Sequence, residues 1–269
     1  MYASCPDVVA GHLLNGFPLK TCGNDSCCYR YPFMAKTIVS LNKKIIACRA
    51  CPRLVEWREH VARIKAKRFS DWTYWGKPIP GFGDSTARLL LVGLAPAAHG
   101  GNRTGRMFTG DESGNWLFRA LYKAGFANQA ESDARDDGLK LTNCYITATC
   151  RCAPPQNKLL PQEIKNCRPF ILRELQLLKN LRVIVGLGKI GFDAAFDCVK
   201  ELGWTDLKSR PKFSHGAVAH LNPSLTLIGT YHPSQQNTFT GKLTEPMLDD
   251  IFRIVKKHIR STTYKTTKP

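Results

Sequence analysis

The chain has 269 residues, with 39 Lys and Arg against 21 Asp and Glu, for a formal net charge of +18 at pH 7. At 43% hydrophobic and 10% aromatic residues it can bury a core, which excludes disorder for the bulk of the chain and suits one large α/β domain or two small ones. No run of about 18 uninterrupted apolar residues is present, and the opening MYASCPDVVAGHLLNGF lacks the basic region and apolar stretch of an export signal, so the expectation is a cytoplasmic protein without a membrane partner. A basic surplus of this size favours a polyanionic partner, nucleic acid before an anionic membrane surface, because neutralising phosphates releases counterions. General solubility charge is the bland alternative.

Residues 1–33 contain Cys5, Cys22, Cys27 and Cys28, several Gly and Pro, and no helix or strand period. They are expected to be a poorly ordered extension or an upstream start, with residues 34–269 forming a single domain. From there strands and helices alternate. PRLVEWREHVARIKAKR predicts a basic amphipathic helix over about 53–68, and ARLLLVGLAP (87–96) predicts a buried strand, a short apolar run ended by Gly and Pro. A helix follows over about 114–125, stopped at Gly125, and a polar loop leads to a second strand over 141–152. After Pro161 comes a helix reaching about Asn180, then a strand over 181–188 and a helix near 190–202. A fourth strand (225–234) precedes a last helix from Glu245 to about Ile259. This rhythm implies a mainly parallel sheet covered on both faces, with ligands at the carboxyl ends of the strands.

The chemistry-bearing segments cluster at those ends. Six glycines fall within the 22 residues from Gly93 to Gly114, a loop whose backbone can approach a ligand closely. His99, Asn102, Arg103, Arg106 and Asp111 supply polar groups there, and Phe108 supplies a flat ring. The loop also reads as a long surface turn in which Asp111 or Ser113 caps the next helix. His232-Pro233-Ser234 closes the fourth strand, although a lone histidine is as often structural as catalytic. Eleven cysteines without an export signal point to a metal site or to scattered buried thiols rather than disulfides. The pair Cys48 and Cys51, with Cys152 and Cys167 spaced 15 apart downstream, makes up a four-thiolate set suited to an iron–sulfur cluster or structural zinc. Cys150 rivals Cys152 in that set. Gly186-Leu187-Gly188-Lys189-Ile190-Gly191 has the GxGxxG pattern, but no acid follows at the right distance, so it reads as a tight strand-to-helix turn.

The loop GLAPAAHGGNRTGRMFTGD, the pair CRAC, the stretch CRCAPPQNK with its later Cys167, and the tripeptide HPS resemble the iron–sulfur uracil-DNA glycosylases, most closely the type-5 group. The resemblance runs from about Cys48 to Glu245. It implies a three-layer α/β/α sandwich around a four-stranded parallel sheet. The implied activity is excision of uracil, and of other deaminated bases such as hypoxanthine or xanthine, from DNA, leaving an abasic site. It also implies a structural 4Fe-4S cluster on Cys48, Cys51, Cys152 and Cys167, with zinc as the alternative metal. Cys152 is preferred to Cys150 because it directly precedes APPQNK. Better-known uracil glycosylases carry a polar residue where this chain has Ala95 and an asparagine where it has Ala148, a departure shared by the type-5 group. On this resemblance Asp111 orients the attacking water, with Asn102 and Asn157 as second candidates. His232 donates to the uracil O2 region, Phe108 stacks on the base, and the amides of Leu94 and Ala95 read its polar edge. Phe239 is a candidate wedge. A monomeric, nucleoid-associated protein is the expectation, and a fold that binds nucleic acid without catalysis is the rival reading.

Overall fold

The computed structural model describes residues 35–261, so the expected N-terminal extension lies outside the described residues. The chain opens with α1 (Ile38–Ile46), capped by a Thr37–Ser40 capping box, and α2 (Pro52–Ile64), which starts with Pro at its first position. Next come a 3₁₀ turn at Lys67–Phe69, the two-residue strand β1 (Phe82–Gly83) and strand β2 (Leu89–Gly93). The glycine-rich segment contains one helical turn, α3 (Gly101–Thr104), and leads into α4 (Glu112–Lys123). Strand β3 (Cys144–Ala148), a 3₁₀ turn at Pro155–Asn157, α5 (Pro161–Leu177), β4 (Val183–Leu187) and α6 (Gly188–Glu201) follow. Strands β5 (Val218–Asn222) and β6 (Leu225–Thr230), the short α7 (Gln235–Phe239) and α8 (Glu245–Ser261) complete the described chain.

The sheet order is β1-β3-β2-β4-β6-β5. Its four inner strands are parallel, with Leu91 opposite both Ile146 and Val185, and these are the four strands expected from the sequence. The sheet nevertheless has six strands rather than four, because β1 and β5 pair antiparallel at its edges. Both escape the pattern for physical reasons. The first is only two residues long, and the second is an edge strand whose residues are mostly exposed or half-buried.

Alternation along the inner strands builds the two flanking layers. Leu89, Leu91, Ile146, Val183 and Val185 meet Leu117, Phe118 and Leu121 of α4 and Leu248, Phe252 and Val255 of α8. Leu90, Val92, Tyr145, Ile184 and Leu227 face Ile171 and Leu175 of α5 and Phe192, Phe196 and Val199 of α6. Apolar runs buried on both faces thus give the three-layer sandwich. The GxGxxG stretch serves packing: a Cβ at Gly191 would overlap the Val92 carbonyl, and one at Gly186 would overlap the Phe192 backbone. Gly125, at φ 78°, ends α4 as expected, and Phe126 N–H donates back to the Leu121 carbonyl at 2.8 Å. Beneath the sheet end, Arg151 and Glu174 form an ion pair at 2.5 Å with exposures of 1% and 0%, and Thr147 donates to the same carboxylate at 2.6 Å.

Candidate active site

The parallel strands end at Gly93, Ala148, Leu187 and Thr230, and the loops that follow converge on one edge of the sheet. Asp111 occupies the N-cap of α4, where its Oδ1 accepts from the Gly114 N–H at 3.0 Å. Of the two capping candidates, Asp111 and Ser113, it is Asp111 that caps the helix. Gly100 leaves room for the other carboxylate oxygen: a Cβ there would overlap Asp111 Oδ2 and lie 2.8 Å from Cγ. Burial pushes the Asp111 carboxyl above its ordinary value, against the Gly114 and Ser113 N–H groups and the positive charge of Arg103. With His99, Arg103 and Asn157, this carboxylate lines an open groove of about 800 Å³.

His232 and Phe108 stand together, with ring centroids 5.8 Å apart and planes tilted by 33°. Phe108 has φ 53°, a left-handed backbone seldom adopted by a bulky residue, and it turns across the end of β2, where a Cβ at Gly93 would come within 3.0 Å of its Cζ. Burial lowers the His232 imidazole to about 4, so it is neutral at pH 7 and keeps one N–H to donate. Its carbonyl is anchored by Asn237 Nδ2 at 2.8 Å. His232 and Leu94 line a second cavity of about 340 Å³ with Tyr231 and Lys242. The sequence-nominated residues are thus divided between two cavities, with Asp111 and Asn157 in one and His232 and Leu94 in the other.

Ala148 lies opposite Gly93 at the carboxyl end of β3 and is buried. Ala95 packs on the cysteine cluster. Asn102 does not face either cavity. It is 1% exposed and its Nδ2 donates to the Arg58 carbonyl at 3.1 Å, which ties the loop to α2, while its Oδ1 finds no partner among the described residues. Asn157, exposed at φ 57°, does reach the groove.

Cys48, Cys51, Cys150, Cys152 and Cys167 close on one small cavity of about 20 Å³ between α2, α5 and the loop after β3. Cys150 lies against Cys167, while Cys152 Sγ accepts from Arg58 Nη1 at 2.9 Å. No three His, Cys, Asp or Glu side chains among the described residues stand in metal-holding geometry. The donor set nevertheless suits an anionic sulfur-rich group. Arg58 Nε and Arg151 Nε and Nη1 are buried donors that find no partner among the described residues, and both side chains line the same cavity.

Sequence reasoning passed over the segment KRFSDWTYW, whose mix of basic and aromatic residues was the available signal. It puts Arg68, Phe69 and Trp72 on the rim of the Asp111 groove. Arg103, noted only as a polar loop residue, is 4% exposed and fixed by bonds from Nε to the His99 carbonyl and from Nη2 to the Gly110 carbonyl, both 2.8 Å. His99 is held by the Tyr74 hydroxyl at 3.1 Å, and burial together with Arg68 and Arg103 lowers its pKa.

The model of the uracil DNA glycosylase superfamily matches residues 80–256. The chain is 52% identical over 224 residues to a type-5 uracil-DNA glycosylase of Mycobacterium leprae, covering 83% of this chain and 96% of that protein. A type-5 uracil-DNA glycosylase of Thermus thermophilus is 46% identical over 79% of this chain and 94% of its own length. One from Pyrobaculum aerophilum is 42% identical over 78% and 88%.

Proposed function

Because the chain belongs to the uracil DNA glycosylase superfamily, we propose that it acts as a uracil-DNA glycosylase of DNA repair, hydrolysing the N-glycosidic bond of uracil and leaving an abasic site. The observation that carries the chemical reading is the half-buried Asp111 carboxylate, held by a helix N-terminus at an open groove on the sheet edge where the strand leading to His232 also ends.

A base inside a duplex is out of reach, so the nucleotide must first turn out of the stack, at a cost of a few kcal/mol that is smaller at a mismatch. Phe239, 75% exposed at the end of α7, supports the role of a wedge for the vacated space. Breaking the glycosidic bond leaves positive charge on the sugar and negative charge on the base, and fixed groups must meet both. Asp111 orients the water and faces the cationic sugar, with Asn157 across the groove as a second polar group. Neutral His232 donates to the uracil O2 region as charge builds there, Phe108 stacks on the base, and the Leu94 and Ala95 amides read its edge. Small side chains at Ala95 and Ala148 leave the pocket permissive, which extends the substrates to hypoxanthine and xanthine.

For the cysteine cavity we favour a 4Fe-4S cluster on Cys48, Cys51, Cys152 and Cys167. When bound it joins α2 to α5 and the loop after β3 without taking part in the reaction. The unpartnered donors of Arg58 and Arg151 would then face it. No helix among the described residues is long and apolar enough to cross a membrane. A cytoplasmic, nucleoid-associated monomer fits this reading. The test is incision of oligonucleotides carrying uracil, hypoxanthine or xanthine after abasic-site cleavage. Parent activity on uracil that survives in His232→Ala removes His232 from the mechanism, and no activity on any of the three leaves a DNA-binding protein without catalysis.

A further inference from the structure

The rim of the Asp111 groove carries an arrangement that the reaction outlined above leaves unused. The guanidinium carbon of Arg103 lies 3.9 Å from the centroid of the Phe69 ring and 4.0 Å from that of Trp72. The two rings meet edge to face, 6.4 Å apart at 75°. Arg103 is nearly inaccessible, and its Nε and Nη2 are held by the His99 and Gly110 carbonyls, so most of its donor capacity is spent within the protein. Its position instead fixes the rings: a buried cation against two aromatic faces holds them at a set angle to the loop that ends in Asp111. Phe69 has Arg68 over its ring as well, at 4.7 Å. Trp72, with one face on Arg103, remains 36% exposed and lines the groove. Arg68 lines the same groove, and Lys67 and Lys77, five residues to either side in sequence, are exposed, so the flat apolar surface belongs to a basic segment that attracts a polyanion.

We infer that Trp72 is a stacking shelf for a nucleobase of the DNA strand, the neighbour of the nucleotide presented to Asp111, with Arg103 and Phe69 holding the indole in place. Trp72 is thereby a positioning residue: it touches the flanking base, not the reacting one. The inference rests on the glycosylase reading for the identity of the strand, and the chemistry at Trp72 is that of single-strand binders, where a basic groove guides the backbone and an aromatic face receives a base of any sequence.

The test compares parent, Trp72→Ala and Trp72→Phe on a uracil duplex and on duplexes in which the residue 5′ or 3′ of the uracil is a tetrahydrofuran abasic analogue. Steady-state KM and kcat are measured, together with Kd by fluorescence anisotropy. On the intact duplex, Trp72→Ala is expected to raise KM and Kd by about tenfold with kcat retained, and Trp72→Phe to recover most of the loss. With the base missing on the stacked side, parent and Trp72→Ala become equal. A purely structural role for Trp72 does not depend on which substrate base is missing. The inference is overturned if Trp72→Ala matches the parent on the intact duplex, or if its deficit is the same on all three duplexes. A parent that binds DNA but excises nothing refutes the glycosylase reading alone, since the Kd cycle still decides the shelf.

Discussion

Gly100→Ala is the sharpest perturbation of the site, because it adds one methyl group and reaches a single carboxylate. The new Cβ would overlap Asp111 Oδ2 and stand 2.8 Å from its Cγ and 3.0 Å from its Cβ. Carbon atoms rest about 3.5–4.0 Å apart, so the side chain must withdraw by roughly 1 Å. Displacements of that size at a reacting group cost about 10²-fold in rate. Withdrawal also loosens the 3.0 Å bond to the Gly114 N–H, which as an N-cap contributes about 1 kcal/mol, or roughly 2–4 °C in Tm for a domain of this size. Single-turnover excision of uracil from a labelled duplex and a circular-dichroism melt read the two effects separately. Coupling is read by repeating the substitution on an Asp111→Asn background, where Gly100→Ala should add almost nothing to the rate loss. A parental rate in Gly100→Ala, or a loss that adds in full to that of Asp111→Asn, would refute the claim that Gly100 acts by making room for the carboxylate.

Asp111→Asn should abolish most of the excision yet raise Tm at pH 7, because burial disfavours the charged carboxylate and Asn caps a helix equally well. The sign follows from the raised pKa: the folded state favours the protonated carboxyl, so the parent loses stability as pH rises through the folded value. The Tm gap should close as pH falls below the ordinary carboxylate value of 3.8, and a gap that persists there would contradict burial as the cause. Excision by the parent should fall on the acid side, beginning above 3.8, as the Asp111 carboxylate takes up a proton. Serine at Cys48, Cys51, Cys152 or Cys167 should remove iron and visible absorption from the purified protein, whereas Cys150→Ser should retain both; colourless parent protein with stoichiometric zinc would rule out the cluster. Glu174→Gln removes the carboxylate paired with Arg151 at 1% exposure, at a cost of about 3–5 kcal/mol, so Tm should drop by roughly 10 °C. A change under about 2 °C would mean that the pair is not a buried ion pair in solution.

What the sequence made legible is what short-range rules govern. The inner strands show because both of their faces are buried, so LLLVG and VIVGL read as unbroken apolar runs between helices. Gly125 shows as a stop because an αL residue after a helix favours glycine. The edge strands stay hidden, since β5 carries Val218 and His220 on exposed positions and its register shifts between His220 and Asn222. Asn102 illustrates a different limit. A loop asparagine beside glycines looks available for a ligand, and only the packing of α3 against α2 shows that it spends its amide on the Arg58 carbonyl. Trp72 is the converse case, unremarkable in sequence and placed on the groove by a cation 31 residues downstream.

These contacts also show why the site occupies the least economical part of the molecule. The Asp111 carboxylate is held where burial opposes its charge, and Phe108 is held at a positive φ. Each is kept there by something rigid: the α4 N-terminus and Gly100 for Asp111, the end of β2 for Phe108. The four parallel strands supply that rigidity, because every inner residue of β2, β3 and β4 is buried and hydrogen-bonded in register. A preorganised carboxylate needs no reorientation as charge develops on the sugar, which is the advantage an electrostatic site offers over water. Substitutions that remove the buried charge of Asp111 or the positive φ at residue 108 without losing the cap should therefore raise Tm and lower the excision rate together. A variant that gained in both would show that the strain and the burial are incidental to catalysis.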